Sequence, residues 1–272
     1  ARERRQGREI SGAKEPAAPA DPIIVHPDIR RTLAVIRGFN IAARALALST
    51  ALDADIAHRS EDAGERRAAE DRLALMTPVL KGVLTDRGFD NTVAAQQVFG
   101  GAGYIAETGA EQFVRDARIA MIYEGTNGIQ GLDLVGRKLP KDGGRAITAF
   151  FKATGELVKA HQGDAALAPF VKPVKQGLDE LQQATLWFMA NAMTKADNAG
   201  AGATDYMHLL GLVALGAMWI RIAAAAKGNA ALATDLLCGR AFMERAMPET
   251  SLRLARITAG ADTIMAIPAE RF

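Results

Sequence analysis

Ile122-Tyr123-Glu124-Gly125-Thr126-Asn127 is the stretch on which the reading of this chain turns. One carboxylate stands between an aromatic residue and a glycine, ahead of two residues that both make good helix N-caps. Ile119, Ala120, Met121, Ile122 and Tyr123 lead into it as an apolar approach. The pattern reads as a turn that enters a helix at Thr126 or Asn127. A lone glutamate is usually a solvated surface group. Apolar surroundings instead disfavour its charged form and raise its pKa, which suits a general base working at about 6–7. The expectation is therefore a buried Glu124. Gly125 beside it has no side chain and lets a ligand come close.

Two blocks lie upstream. Gln97-Val98-Phe99-Gly100-Gly101-Ala102-Gly103-Tyr104 reads as a helix that stops at glycines able to take positive φ. No strand precedes it, so it is not a dinucleotide-binding loop of the βαβ type. Its small residues and backbone N–H groups still suit a phosphate-bearing cofactor at close range. In Phe113-Val114-Arg115-Asp116-Ala117-Arg118-Ile119, Arg115 and Asp116 are expected to fix the loop by a charge-assisted hydrogen bond. Arg4-Arg5-Gln6-Gly7, taken alone, is an ordinary basic terminus.

Helical signals run along the rest of the chain. No segment sustains apolar/polar alternation with β-branched enrichment, so the fold class is all-α. Residues 9–24, with Pro16, Pro19 and Pro22, read as loop or linker, and Pro27 suits the first turn of a helix over 28–57. A second helix spans 65–99, kinked or split near Thr77 by Pro78. A short helix at 110–117 comes next. The segment 140–144 marks a boundary, and helices are expected at 145–161, 167–197, 204–226, 230–246 and near 249–266. Asn198-Ala199-Gly200-Ala201-Gly202 reads as a flexible connection.

The bulk numbers narrow the class. With 272 residues the chain forms one large domain or two smaller ones, and 49% apolar with 24% charged residues is a soluble globular profile. A net charge of +2 gives no electrostatic argument for nucleic acid or membrane. Cys238 is the only cysteine, which excludes a disulfide framework or cysteine zinc site within one chain and fits a reducing, cytoplasmic setting. The Arg-rich start resembles a transit peptide, but Glu3, Glu9 and the absent initiator methionine argue against one. The apolar run 209–226 contains Arg221 and reads as a buried helix rather than a membrane span. His58, His161 and His208 lack partners at metal-ligand spacing, so no metal site or catalytic histidine is assigned. Trp187 and Trp219 read as core.

Taken together, the blocks at 97–104, 113–119 and 122–127 resemble, in order and spacing, the C-terminal domain of flavin-dependent acyl-CoA dehydrogenases. The resemblance covers roughly residues 1–138 and implies an up-down helical bundle over 1–140, with a second helical bundle over 141–272. It implies that Glu124 removes the α-proton of an acyl-CoA thioester while the β-hydride passes to FAD, leaving a trans-2-enoyl-CoA. The backbone N–H of the same glutamate and a flavin hydroxyl would hold the thioester oxygen, and Tyr123 and Gly125 would face the substrate. Gln97, Val98, Phe99, Gly100 and Gly101 would contact the adenosine end of FAD across a subunit interface, and Thr126, Asn127, Gly128 and Ile129 form another flavin-contacting stretch. Arg4 and Gln6 match the family's Arg-x-Gln-Phe-Gly segment, which reaches a partner's FAD pyrophosphate, although its phenylalanine is missing here. His26 matches a family flavin contact or serves as a helix cap, with Pro27 in place of the usual glutamine.

Beyond residue 140 the resemblance is to a bacterial subgroup with an extra helical domain, which includes broad-range fatty acyl-CoA and methylmercaptopropionyl-CoA dehydrogenases. That implies an electron-transfer flavoprotein as acceptor, a homodimer and a bacterial cytoplasmic location. The family's two preceding domains have no counterpart in these 272 residues, so the chain reads as a fragment that is inactive alone. An acyl-CoA oxidase, an alkylation-response flavoprotein and an inactive binding or assembly module are the alternatives.

Overall fold

The computed structural model describes residues 1–192 and 194–272. Among them there is no strand, only an isolated antiparallel bridge between Arg5 and Pro22, so the all-α expectation holds. Helix α1 (Pro27–Arg59) starts on the expected proline and is about 50 Å long at 1.5 Å per residue. Helix α2 (Ala63–Pro78) is capped by Asp62, whose side chain accepts from the Glu65 N–H at 2.9 Å. Pro78 does break the regular ladder. A proline donates no N–H, and the chain widens into a π-helical turn (Val79–Val83) before α3 (Leu84–Phe99) resumes. Helices α4 (Ala110–Ile119) and α5 (Asn127–Asp133) follow, the latter running into a second π-helical turn (Leu134–Lys138).

At 140–144 the chain reverses through three successive left-handed residues, Asp142, Gly143 and Gly144. Beyond it come α6 (Arg145–His161), α7 (Ala168–Asn191), α8 (Ala196–Ala225), α9 (Ala233–Arg245), α10 (Glu249–Thr258) and α11 (Asp262–Met265). Two expectations need correction. The helix expected over 167–197 ends at Asn191, and its residue 193 lies outside the described residues. The flexible connection expected at 198–202 is the first part of α8. Its small residues serve packing: a Cβ on Gly202 would lie 2.8 Å from the Phe188 ring. Asn198 is committed as well, accepting from the Ala261 N–H at 3.0 Å.

Helix α8 is the axis of the molecule. It packs against α1, α5, α7 and α10, and every residue from 206 to 217 is buried. A helix apolar on all sides must be enclosed on all sides. By length and composition both α1 and α8 could cross a membrane, but α8 has 78% of its apolar window buried by its neighbours, as a core helix does. The core does not stop at residue 140. Phe39, Leu75, Val83 and Leu134 share one apolar cluster with Leu181, Leu212, Trp219 and Phe242. Trp219 is fully buried, stacks on Phe170 and donates to the Gly38 carbonyl at 3.1 Å. Polar ties cross the same boundary: a bidentate Arg145–Asp71 pair at 2.6 and 2.8 Å, Arg37–Asp235 at 2.8 Å, and Arg87–Glu249.

The segment expected at 9–24 as loop or linker is a compact loop. Asp21 is fully buried and accepts from the N–H groups of Glu9, Lys14 and Glu15 at 3.0, 3.0 and 2.8 Å. These backbone donors, the Glu9 N–H foremost, outweigh the opposing effect of burial. They hold the Asp21 carboxyl down at about 2.

Candidate functional site

The Glu124 turn lies between α4 and α5. It is closed by Tyr123 N–H to Ile119 O at 3.1 Å and by Asn127 N–H to Met121 O at 3.1 Å. Thr126 caps α5, its hydroxyl accepting from the Ile129 N–H, so the helix starts where the sequence placed it. Glu124 has φ 53° and Gly125 φ 83°. A non-glycine residue held in the left-handed region costs about 1–3 kcal/mol, and such strain clusters at functional sites. Gln130 braces the turn by donating to the Glu124 carbonyl at 3.4 Å. Among the described residues, the N–H groups of Glu124, Gly125, Thr126 and Gly128 have no partner. The turn therefore joins a carboxylate to a set of free backbone donors. Chemically it can take a proton and hold a developing negative oxygen in one place.

The burial expected of Glu124 is not found. Glu124 is exposed, and so are Ile119, Ile122, Tyr123 and Ile129. Helix α8, the π-helical turn 79–83 and α2 cover the inner side of α5, and among the described residues nothing packs over Glu124 and Ile129. The apolar approach is an uncovered surface, and the same residue types would serve a core or an interface equally well. Asn127 also departs from its expected role as an outward flavin contact. It is the only buried residue between 122 and 129. Its Nδ2 donates to Asp86 Oδ1 at 2.6 Å, Thr85 Oγ1 at 2.9 Å and Gly82 O at 3.1 Å, and its Oδ1 accepts from Lys81 Nζ at 2.7 Å. Both its side chain and its N–H are spent inside the chain. Gly128 and Ile129 remain at the surface.

Asp86 also takes a hydrogen bond from His208 Nε2 at 2.8 Å. Burial alone would raise its pKa. The hydrogen bonds from His208 and Asn127, with the nearby Lys81 charge, prevail and hold it below the usual carboxylate value. Sequence reasoning missed Lys81, Asp86 and His208 as a group. One signal was available: His208 is a polar residue on the threshold of the most apolar run in the chain.

The second set of candidates meets elsewhere. The Arg4 guanidinium donates to the Phe99 carbonyl and to Gln6 Oε1, the latter at 3.3 Å. Gly100 has φ 61°, and a Cβ there would lie 2.9 Å from Arg4 Nη1, so only glycine admits this contact. His26 is not a side-chain cap of α1. Its Nε2 donates to the Gln6 carbonyl at 2.9 Å and pins the N-terminal segment instead. A depression of about 560 Å³ is lined by Arg4, Gln6, Gln97, Val98, Gly100 and Gly101 among others. Two blocks far apart in sequence thus form one corner, with the Phe99 side chain half-exposed beside it.

The expected Arg115–Asp116 pair does not form. Both are exposed, Asp116 accepts from Gln112 at 2.6 Å, and it is Arg118 of α4 that reaches another helix, lying 6.0 Å from the Phe89 ring of α3. Among the described residues no group of three or more His, Cys, Asp or Glu is placed to hold a metal.

Comparison with known proteins matches this architecture in two parts. Residues 7–139 match the family described as acyl-CoA dehydrogenase, C-terminal domain, and residues 145–268 match acetyl-CoA dehydrogenase C-terminal like. The chain is 34% identical, over 97% of its length, to 3-methylmercaptopropionyl-CoA dehydrogenase of Ruegeria pomeroyi, and 30% identical, over 83%, to the broad-specificity linear acyl-CoA dehydrogenase FadE5 of Mycobacterium tuberculosis. It spans 46% and 38% of those two proteins. In fold it is similar to Caenorhabditis elegans ACDH-11, solved in complex with C11-CoA, with a TM-score of 0.72 at 21% identity over 85% of this chain and 38% of that one. The chain belongs to the C-terminal region of the acyl-CoA dehydrogenase family, as an acyl-CoA dehydrogenase C-terminal domain followed by an acetyl-CoA dehydrogenase C-terminal-like segment.

Proposed function

We propose that this chain supplies the proton-abstracting turn of an FAD-dependent acyl-CoA dehydrogenase. The observation that carries the reading is Glu124: a carboxylate on a strained, positive-φ residue whose own N–H and those of Gly125 and Thr126 are free among the described residues. The carboxylate takes the α-proton of an acyl-CoA thioester. Negative charge then grows on the thioester oxygen, and the free Glu124 N–H would receive it. A donor of this kind is worth about 2.7–4 kcal/mol in the transition state. The Arg4–Gly101 corner fits a phosphate-bearing cofactor. It offers a guanidinium, a glycine that admits it, and a depression of about 560 Å³. Arg4, Gln6 and the 97–101 segment would hold FAD there, and Gly128 and Ile129 would meet it near the turn. FAD, when bound, supplies the acceptor for the β-hydride. An electron-transfer flavoprotein would serve as the electron acceptor, and the working unit would be a homodimer. The substrate is an acyl-CoA thioester, the class named for the two relatives and for the ACDH-11 complex.

The test is isotopic. A flavin-loaded enzyme carrying this chain is held without electron acceptor in D2O with an acyl-CoA, and deuterium at the α-carbon is followed by mass spectrometry. Wild type is expected to wash deuterium in and Glu124→Gln to lose this by about a hundredfold or more. Equal wash-in by the two would overturn the reading.

A further inference from the structure

We infer that His208 of α8 is a positioning residue for the Glu124 turn, acting through Asp86 and Asn127. The inference deepens the proposed function, and its kinetic consequence rests on Glu124 being the base. Asn127 is the sole buried residue of the turn and stands three positions after Glu124. The turn can be no better placed than this anchor. Its neighbours fix the orientation of the Asn127 amide. Lys81 can only donate, so Oδ1 must face it; the Asp86 carboxylate can only accept, so Nδ2 must face that side. A rotated amide would set donor against donor and acceptor against acceptor.

Asp86 therefore decides where Asn127 points, and His208 decides where Asp86 points. Nε2 donates to Oδ2 at 2.8 Å while Oδ1 serves Asn127, so each carboxylate oxygen has its own donor. Without His208 the carboxylate is free to turn toward the Lys81 ammonium and leave Asn127. Lys81 touches the turn a second time, its Nζ lying 5.9 Å from the Tyr123 ring centroid. The far end of the relay is rigid. His208 is 5% exposed and sits on the fully buried stretch of α8, and Gly131 of α5 lies so close that its Cβ would be 3.1 Å from the Ala203 backbone. A histidine at this position is not the best packing choice, because its Nδ1 is buried without a partner. A leucine would avoid that cost but would leave Asp86 without its donor.

The test uses the 272-residue chain and hydrogen–deuterium exchange. His208→Leu is expected to speed exchange at residues 121–130 about tenfold with α10 unchanged, and His208→Gln, which can donate to Asp86, to restore protection. Asp86→Ala removes the acceptor of Asn127 Nδ2 outright, and it is expected to loosen the same residues should His208→Leu fail to fold. Unchanged exchange at 121–130 in both variants, or a rise shared equally by α10, would overturn the inference. In a flavin-loaded enzyme carrying this chain, His208→Leu is expected to slow flavin reduction about tenfold at nearly constant acyl-CoA affinity, with His208→Gln recovering it. A loosened turn with unchanged reduction would support the anchoring and count against Glu124 as the base.

Discussion

The Arg4–Gly101 corner and the Glu124 turn are both short, glycine-marked segments, yet the chain completes them differently. The corner is closed by the chain's own groups: Arg4 on the Phe99 carbonyl, His26 on the Gln6 carbonyl, Gly100 beneath the guanidinium. The turn is held only from below. The side chain and N–H of its anchor Asn127 are satisfied, while Glu124 and the apolar residues around it are exposed among the described residues. The contrast separates two tasks. Internal hydrogen bonds can place a backbone, but they do not enclose the carboxylate that the backbone carries.

The comparison can be broken first at the anchor. Asn127→Ala leaves the Lys81 ammonium and one Asp86 oxygen without their partner in a partly buried site. The loss is expected to be about 3 kcal/mol, read as a lower urea midpoint at unchanged slope. The corner should yield less. Gly100→Ala puts a Cβ at positive φ and against Arg4, a flexible side chain that can move aside. About 1–2 kcal/mol is expected, together with weaker flavin retention by an enzyme carrying this chain.

The smallest effect is local and depends on pH. Asp21 has its carboxyl lowered from 3.8 to about 2 by backbone donors, the Glu9 N–H first. A lowered carboxylate contributes stability above its unfolded value, and that contribution is lost as pH falls through the folded one. Protection of residues 8–20 from exchange should therefore hold at pH 5 and fade between pH 4 and 2. Asp21→Asn should show the acid behaviour already at neutral pH. A loop equally protected at pH 5 and pH 2 would show that Asp21 does not hold it.

Much of the fold was legible because its signals are local. Pro27 marked the start of α1, Pro78 the break after α2, and the periodicity and glycines around 145–161 bounded α6 as found. The misreadings share a cause. Asn198 and Gly202 look like part of a linker by composition, but inside α8 Gly202 lies against Phe188 and Asn198 accepts from the Ala261 N–H, and both contacts are tertiary facts. The exposure of Glu124 was not legible either, since Ile122 and Tyr123 suit a core and an interface alike. The role of His208 could not be read from the sequence, because its partner Asp86 lies 122 positions away.

The central claim is that Glu124 is the proton acceptor, and the most direct measurement is rapid anaerobic mixing of a saturated acyl-CoA with a flavin-loaded enzyme carrying this chain. Wild type should bleach its flavin promptly. Glu124→Gln, which keeps the size and the backbone N–H but cannot take the proton, should bind the acyl-CoA and bleach slower by about three orders of magnitude or more. Near-normal bleaching by Glu124→Gln would contradict the account.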